Sequence, residues 1–441
     1  MRSVFPLLCC VLVALVPSSA LGAAETPAPQ PTEIQHVPWS RSAVLYEVNI
    51  RQYTPEGTLQ AFEQHLPELK AMGVDILWLM PVTPIGIQDR KGVLGSYYAV
   101  RDYQAVNPEF GTLDDLKAVV AHAHALGMKV ILDWVANHTA MDHPWTLTHP
   151  EWYQKDKQGE IVSYRYNNGT SIEEWSDVAG LDYRSPGLRA AMISAMQFWV
   201  READIDGFRC DVAMRVPTSF WEEARAALDR QKPMFMLAEA EKPELEVRAF
   251  DMGYTWELHK VLVAIAAGKA TREDLVRRLE ADRAAFPIDS YPMLYTSNHD
   301  HNSWEGSDAE LYGPAHDAFT VLSFTLPGMP LIYSGQEMRN THRIKFFKRD
   351  PISWKERERV PLYTRLAALK HAHPALAAGT AGGALEVLAV EDPKVFAFRR
   401  VKGRDVVSIS VNFSAEPRMV RIPGAEPKVL EPWGYLIREA N

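Results

Sequence analysis

A repeated rhythm constrains this chain more than any single motif. From residue 43 onward, short apolar runs rich in Val, Ile, Leu and aromatic residues each precede a longer amphipathic stretch. The runs that read as strands are 43–50 (AVLYEVNI), 75–82 (DILWLMPV), 129–135 (KVILDWV), 205–212 (IDGFRCDV), 234–240 (MFMLAEA), the weakly marked 249–254, 293–300 (MLYTSNHD) and 330–337 (PLIYSGQE). Between them, 58–73, 112–127, 185–202 and 217–230 read as helices; several open on Ser or Thr as an N-cap, and the first two close at Gly. Strands alternating with helices imply a parallel sheet, and eight such units predict an α/β fold of the (β/α)8 TIM barrel type.

Two segments break the rhythm. Residues 139–184 are polar and aromatic-rich, too long for a plain strand-to-helix loop, and predict a short inserted lobe after the third strand. From residue 376 the pattern changes to alternating strands with Gly, Pro and Asn turns, which predicts a small antiparallel β-domain, a β-sandwich, over 376–441. The catalytic barrel is then expected over 39–375. At the other end, residues 1–23 carry one Arg, an apolar run and small residues at Ala20, Gly22 and Ala23, the layout of a secretory signal peptide, followed by a Pro-rich tail over 24–38. A secreted or periplasmic protein is expected, and removal of the signal leaves Cys210 as the single cysteine, so no intrachain disulfide forms. The formal net charge is −9 with no basic cluster, which speaks against nucleic acid and membrane as partners. The oligomeric state is not readable from the chain.

The fourth run poses the chemical question. Arg209 and Asp211 are two apart, so at strand period they point to the same side. In such a barrel the active site lies at the C-terminal ends of the strands, so the polar residues that close each run are the informative ones: Asp133, Asn137 and His138, then Arg209 and Asp211, then Glu239, then His299 and Asp300. A lone strand-end carboxylate usually caps a helix or pairs with a neighbour. Four converging from strands three, four, five and seven suit glycoside hydrolysis, which needs one ionised carboxylate at the anomeric carbon and one protonated carboxyl at the leaving oxygen. Arg209 is expected to hold Asp211 ionised, and the apolar surroundings of Glu239 to raise its pKa, so that Asp211 is the nucleophile and Glu239 the acid/base.

The stretches DWVANH, GFRCDVA, AEAE and TSNHD, in this order, together with GVDILWLMPV, GSYYAVRDYQAVNPEFGTLDDLK, GLDYRSPGLR and GMPLIYSGQE, resemble glycoside hydrolase family 13, the α-amylase family. The resemblance covers roughly 40–370. It implies that Asp211 forms a covalent glycosyl-enzyme, that Glu239 is the general acid/base, and that Asp300 binds sugar hydroxyls and favours the distorted transition state. It further implies that His138 and His299 hydrogen-bond the reacting sugar, that Asp133 lies among the binding residues with Arg209, and that Tyr98, or Tyr97 if the register slips by one, stacks on that sugar. The implied substrate is an α-1,4-linked glucan or malto-oligosaccharide, cleaved with retention.

The chain also departs from the family pattern. Many α-amylases bind a structural calcium through the Asn of the first motif and an Asp in the lobe; here Asn137 remains but Gly180 stands where that Asp is expected, short of the roughly six to eight oxygens calcium takes. No cofactor or metal is therefore required, with calcium left open. Met214 and Arg215 replace the Lys-His that often follows the nucleophile, a pattern closer to neopullulanase and cyclomaltodextrinase relatives and compatible with transglycosylation. Two other classes compete: a metal-dependent barrel hydrolase using His299, Asp300 and His301, disfavoured because the first strand lacks a His-x-His pair, and a catalytically silent sugar-binding relative, disfavoured because all three carboxylates are present.

Overall fold

The computed structural model describes residues 33–167, 169–339, 341–355, 357–422 and 426–440. The predicted signal peptide, and the part of the Pro-rich tail before residue 33, lie outside the described residues. The eight strands close into a parallel barrel: β1 (Leu45–Val48), β2 (Ile76–Leu79), β3 (Lys129–Val135), β4 (Gly207–Asp211), β5 (Phe235–Ala238), β6 (Met252–Gly253), β7 (Tyr291–Leu294) and β8 (Met329–Tyr333), with β8 pairing back onto β1. No helix among the described residues is long and apolar enough to cross a membrane.

Strand alternation sorts the side chains into two cores. Leu45, Ile76, Trp78, Ile131, Phe235, Leu237, Met252, Met293 and Leu331 fill the barrel interior. Their neighbours Tyr46, Leu77, Leu132, Phe208, Cys210, Met236 and Ala238 belong to the larger cluster packed against the helices. Gly207 keeps β4 close to its neighbour, since a methyl group there would run into the Phe235 carbonyl oxygen. The alternation leaves Glu47, Asp133, Arg209, Asp211 and Glu239 in inward register above the interior layers.

The helices form where their caps and apolar stripes allow. Leu113–Ala125 starts with a capping box, Thr112 and Asp115 each satisfying the other's backbone N–H. Pro186–Ala203 is capped by Ser185 and buries Leu188, Met192, Ala195, Met196, Trp199, Val200 and Ala203 along one face. The helix expected over 58–73 is two helices, Leu59–Glu63 and Leu66–Met72, because Pro67 lacks the N–H needed to continue the ladder and instead sits in the first turn of the second. The seventh strand ends at Leu294, earlier than expected, so TSNHD leaves the ladder as a loop.

Two additions flank the barrel. Within the excursion after β3, His138–Ala140, Ser163–Asn167 and Ile172–Gly180 make a three-stranded antiparallel sheet. Beyond the barrel, Ala384–Val387, Val395–Lys402, Asp405–Asn412 and Tyr435–Ala440 form a four-stranded antiparallel sheet. One of its faces, through Phe396, Phe398, Val407, Ile409 and Val411, joins the same apolar cluster as the barrel's helices. The other, through Val395, packs on Val420 and Leu430 of a two-stranded ribbon. The expected sandwich is thus one sheet between the barrel's helical layer and a ribbon, not two equal sheets.

Candidate active site

Arg209 organises the strand ends. Its side chain is fully buried, and its Nη1 donates to Asp133 Oδ1 at 2.8 Å and to Asp211 Oδ1 at 3.0 Å. Its Nη2 lies 3.1 Å from Glu239 Oε2 and donates to Tyr254 Oη at 3.2 Å. The guanidinium also sits 5.0 Å from the centre of the Trp78 ring, a cation–π contact that holds it in the barrel axis. Trp78 Nε1 and Tyr98 Oη both donate to Asp133 Oδ2 at 3.1 Å. Asp133 is consequently a fully bonded anchor for Arg209.

A second line of bonds reaches the cluster from β1. Glu47 Oε1 lies 2.5 Å from His299 Nδ1, and His299 Nε2 is 2.7 Å from Tyr98 Oη and 3.4 Å from Asp300 Oδ2. Burial works against charge on His299, but Asp300 and the Glu47 hydrogen bond outweigh it and push the imidazole up to about 9. Protonated His299 donates from both nitrogens, so Tyr98 Oη accepts from it while donating to Asp133. Asp300 is the open member of the group, its side chain 43% exposed, and Trp304 Nε1 donates to its Oδ1 at 3.2 Å. His138 lies on the lobe side, bonded to Asn137 at 3.1 Å and edge-on to Trp175; burial pushes it down to about 3, so it is neutral.

Tyr98, not Tyr97, faces the carboxylates. Tyr97 is buried under Arg51, whose guanidinium is 4.1 Å from its ring centre. Geometry thus brings Asp133, Arg209, Asp211, Glu239, Tyr98, His299 and Asp300 into one bonded group, with His138 at its border.

The electrostatics correct one expectation. Arg209 does not single out Asp211; its two terminal nitrogens serve Asp133, Asp211 and Glu239 together. Burial first, then the neighbouring Glu239 charge, pushes Asp211 well above the usual carboxylate range, and burial also raises Glu239. Burial and mutual repulsion thus favour a proton on the Asp211–Glu239 pair, against the pull of Arg209 and of His299. The backbone says where. Glu239 Oε2 accepts from Val212 N–H at 2.6 Å as well as facing Arg209, which leaves Oε1 as the oxygen able to carry it. Val212 adopts φ 37°, a left-handed conformation that strains a β-branched residue, and this turn is what aims its N–H at Glu239.

Sequence reading missed Glu47, Trp78, Tyr254 and Trp304. Glu47 carried a signal, being a charged residue within an apolar strand run; Tyr254 closes the weak sixth run. Trp304 has none, because its role depends on the fold of the loop after Asp300.

Asn137, the residue that the resemblance associates with calcium, is occupied by protein partners. It is engaged with His138 and Tyr164, and a side chain at position 180 would meet the Tyr164 ring and the Gln154 amide. His299 and His301 also take different partners, Glu47 and Tyr98 for the former, Tyr295 and Glu305 for the latter, so the His299–Asp300–His301 metal triad does not assemble.

Carboxylates gathered on a buried guanidinium at the C-terminal mouth of a (β/α)8 barrel define a glycoside-hydrolase type of protein. Residues 33–365 match the family model described as alpha amylase, catalytic domain, and the chain belongs to the α-amylase family. Among solved structures it is similar to an alpha-amylase from Lactobacillus plantarum, at 30% identity and TM-score 0.81, covering 91% of this chain and 99% of that one. It is also similar to the noncanonic maltogenic alpha-amylase AmyB of Thermotoga neapolitana, at 28% identity and TM-score 0.78, covering 90% and 96%. A curated relative, Alpha-amylase MalA of Haloarcula japonica, is 29% identical over 406 residues, which is 87% of this chain but 57% of that protein. The chain thus spans little more than half the length of that relative.

Proposed function

We propose that the chain is a retaining α-glucan hydrolase that cleaves α-1,4-glucosidic bonds of starch, maltodextrins or related oligosaccharides. The observation that carries this reading is the sharing of Arg209 by Asp211 and Glu239. Nη1 donates to Asp211 Oδ1 at 3.0 Å and Nη2 lies 3.1 Å from Glu239 Oε2, which sets the two carboxyls side by side at the strand ends, as a nucleophile and an acid/base acting on one glycosidic bond must be. Asp211 attacks the anomeric carbon while Glu239 Oε1 gives its proton to the departing glycosidic oxygen. Glu239 then takes a proton from water, which breaks the glycosyl–Asp211 bond and restores the starting state with α configuration retained. Asp300 and His299 take sugar hydroxyls, Tyr98 stacks on the reacting ring, and His138 borders it.

Acceptor binding is the place for a second product. Arg215 lies 4.5 Å from the centre of the Tyr166 ring, which is edge-on to Trp175, itself edge-on to His138. This aromatic wall runs from the lobe toward the cleft and favours a bound sugar over free water as acceptor, hence some transglycosylation alongside hydrolysis. No calcium enters this scheme, and export under the signal peptide at residues 1–23 completes it. Glu239→Gln should lower turnover on starch by about 10²–10⁴-fold, and Asp211→Asn by at least as much, with unchanged circular dichroism. Full turnover in either variant, or β-anomeric products by NMR, overturns the assignment.

A further inference from the structure

Immediately beyond Asp300 the chain makes a five-residue π-turn, His301–Glu305, a rare helical form frequently found at functional sites. His301 and Glu305 stand at its two ends, an i,i+4 pair that faces one side. Opposite them is His259, from the helix Trp256–Ala266 that follows β6. One ligand atom from each of these three residues lies within 4.8 Å of the other two, and the His259 and His301 rings stack with centroids 4.0 Å apart.

The partners of these residues lie mostly within the cluster itself. His259 Nε2 faces the Thr296 carbonyl at 3.0 Å, which can only accept, so Nε2 carries the hydrogen and Nδ1 the lone pair of the neutral ring. His301 is 94% buried, with Nε2 3.3 Å from Tyr295 Oη and Nδ1 paired with Glu305 Oε1 at 2.9 Å. Two imidazoles and a carboxylate, each offering one ligand atom this close to the other two, can converge on a cation in place of the His301–Glu305 pair. We propose that His259, His301 and Glu305 form a site for a divalent transition metal of the zinc class, with water completing the coordination. Two imidazoles and one carboxylate select such an ion over calcium or magnesium, which take oxygen ligands. Metal–ligand bonds of about 2.0–2.1 Å in a tetrahedron place ligand atoms about 3.3 Å apart, so binding draws the three atoms together from a spread of up to 4.8 Å, the 57% exposed Glu305 side chain being the freest to move. Occupancy would pin the turn that carries Trp304 and begins at Asp300, tying the metal to the sugar-binding carboxylate.

The test uses the folded, untagged chain freed of metal by a chelator. Zn²⁺ titrated by calorimetry should bind with one saturable equivalent, and Co²⁺ should develop visible d–d bands. Zn²⁺ should raise the melting temperature, whereas the same concentration of Ca²⁺ should not. Glu305→Ala, a change at an exposed side chain that leaves the fold intact, should weaken Zn²⁺ at least tenfold and abolish the melting shift; His259→Gln should do the same. Absence of saturable binding, or equal Zn²⁺ affinity in wild type and Glu305→Ala, overturns the proposal. Because binding is read without any sugar, its failure is separate from failure of the hydrolase assignment.

Discussion

His299 shows how much of this site is decided by single side chains. It is held between Glu47 and Asp300, and between its ordinary value of 6.5 and about 9 the folded protein keeps a proton that the unfolded chain has released. Its contribution to stability is therefore complete below about pH 6.5 and fades as pH rises toward 9. In His299→Gln the melting temperature should fall less steeply over that window than in wild type; an identical slope refutes the coupling. Arg209 is the counterpart on the other side of the cluster. Replacing it would leave Asp133, Asp211 and Glu239 buried without a cation, whereas a lysine would keep the charge but not the fork that reaches all three.

Among the elements, the π-turn after β7 does the most with the least. It exposes Trp304, 54% accessible, between the Phe346 and Phe347 rings and the Asp300 carboxylate. An exposed indole in that position is a platform for a sugar ring, so Trp304→Ala should raise KM on maltodextrins by about 2- to 12-fold, the equivalent of about 0.5–1.5 kcal/mol of aromatic contact. Unchanged KM in steady-state kinetics would remove Trp304 from the binding surface. The barrel strands were legible in the sequence because period-two alternation is local: spacing put Arg209 and Asp211 on one side, and the ends of the apolar runs picked out Asp133 and Glu239. The π-turn was not, since neither its hydrogen-bond pattern nor the Trp304–Asp300 bond leaves a periodic trace. Pro67 was a local signal passed over, and the shared proton of Asp211 and Glu239 was illegible because it depends on where two strands meet.

At the scale of the whole molecule, the C-terminal sheet and the barrel share one apolar cluster and should melt as one unit. Phe413 stacks on Phe319 of the helix His316–Thr325 with an interplanar angle of 3°, and on Phe396 of the sheet. Phe413→Ala should cost about 3–5 kcal/mol and lower a single cooperative transition in calorimetry. A separate early transition for the sheet, with the barrel's melting unmoved, would show the two to be independent. Their shared apolar cluster has a further meaning for anyone recombining members of this family. The C-terminal segment is contiguous in sequence and looks like a cassette, but its inner face is cut to fit one particular helix. Swapping it with a relative's requires carrying Phe319 and its neighbours along, so the exchangeable unit is defined by the seam and not by the chain.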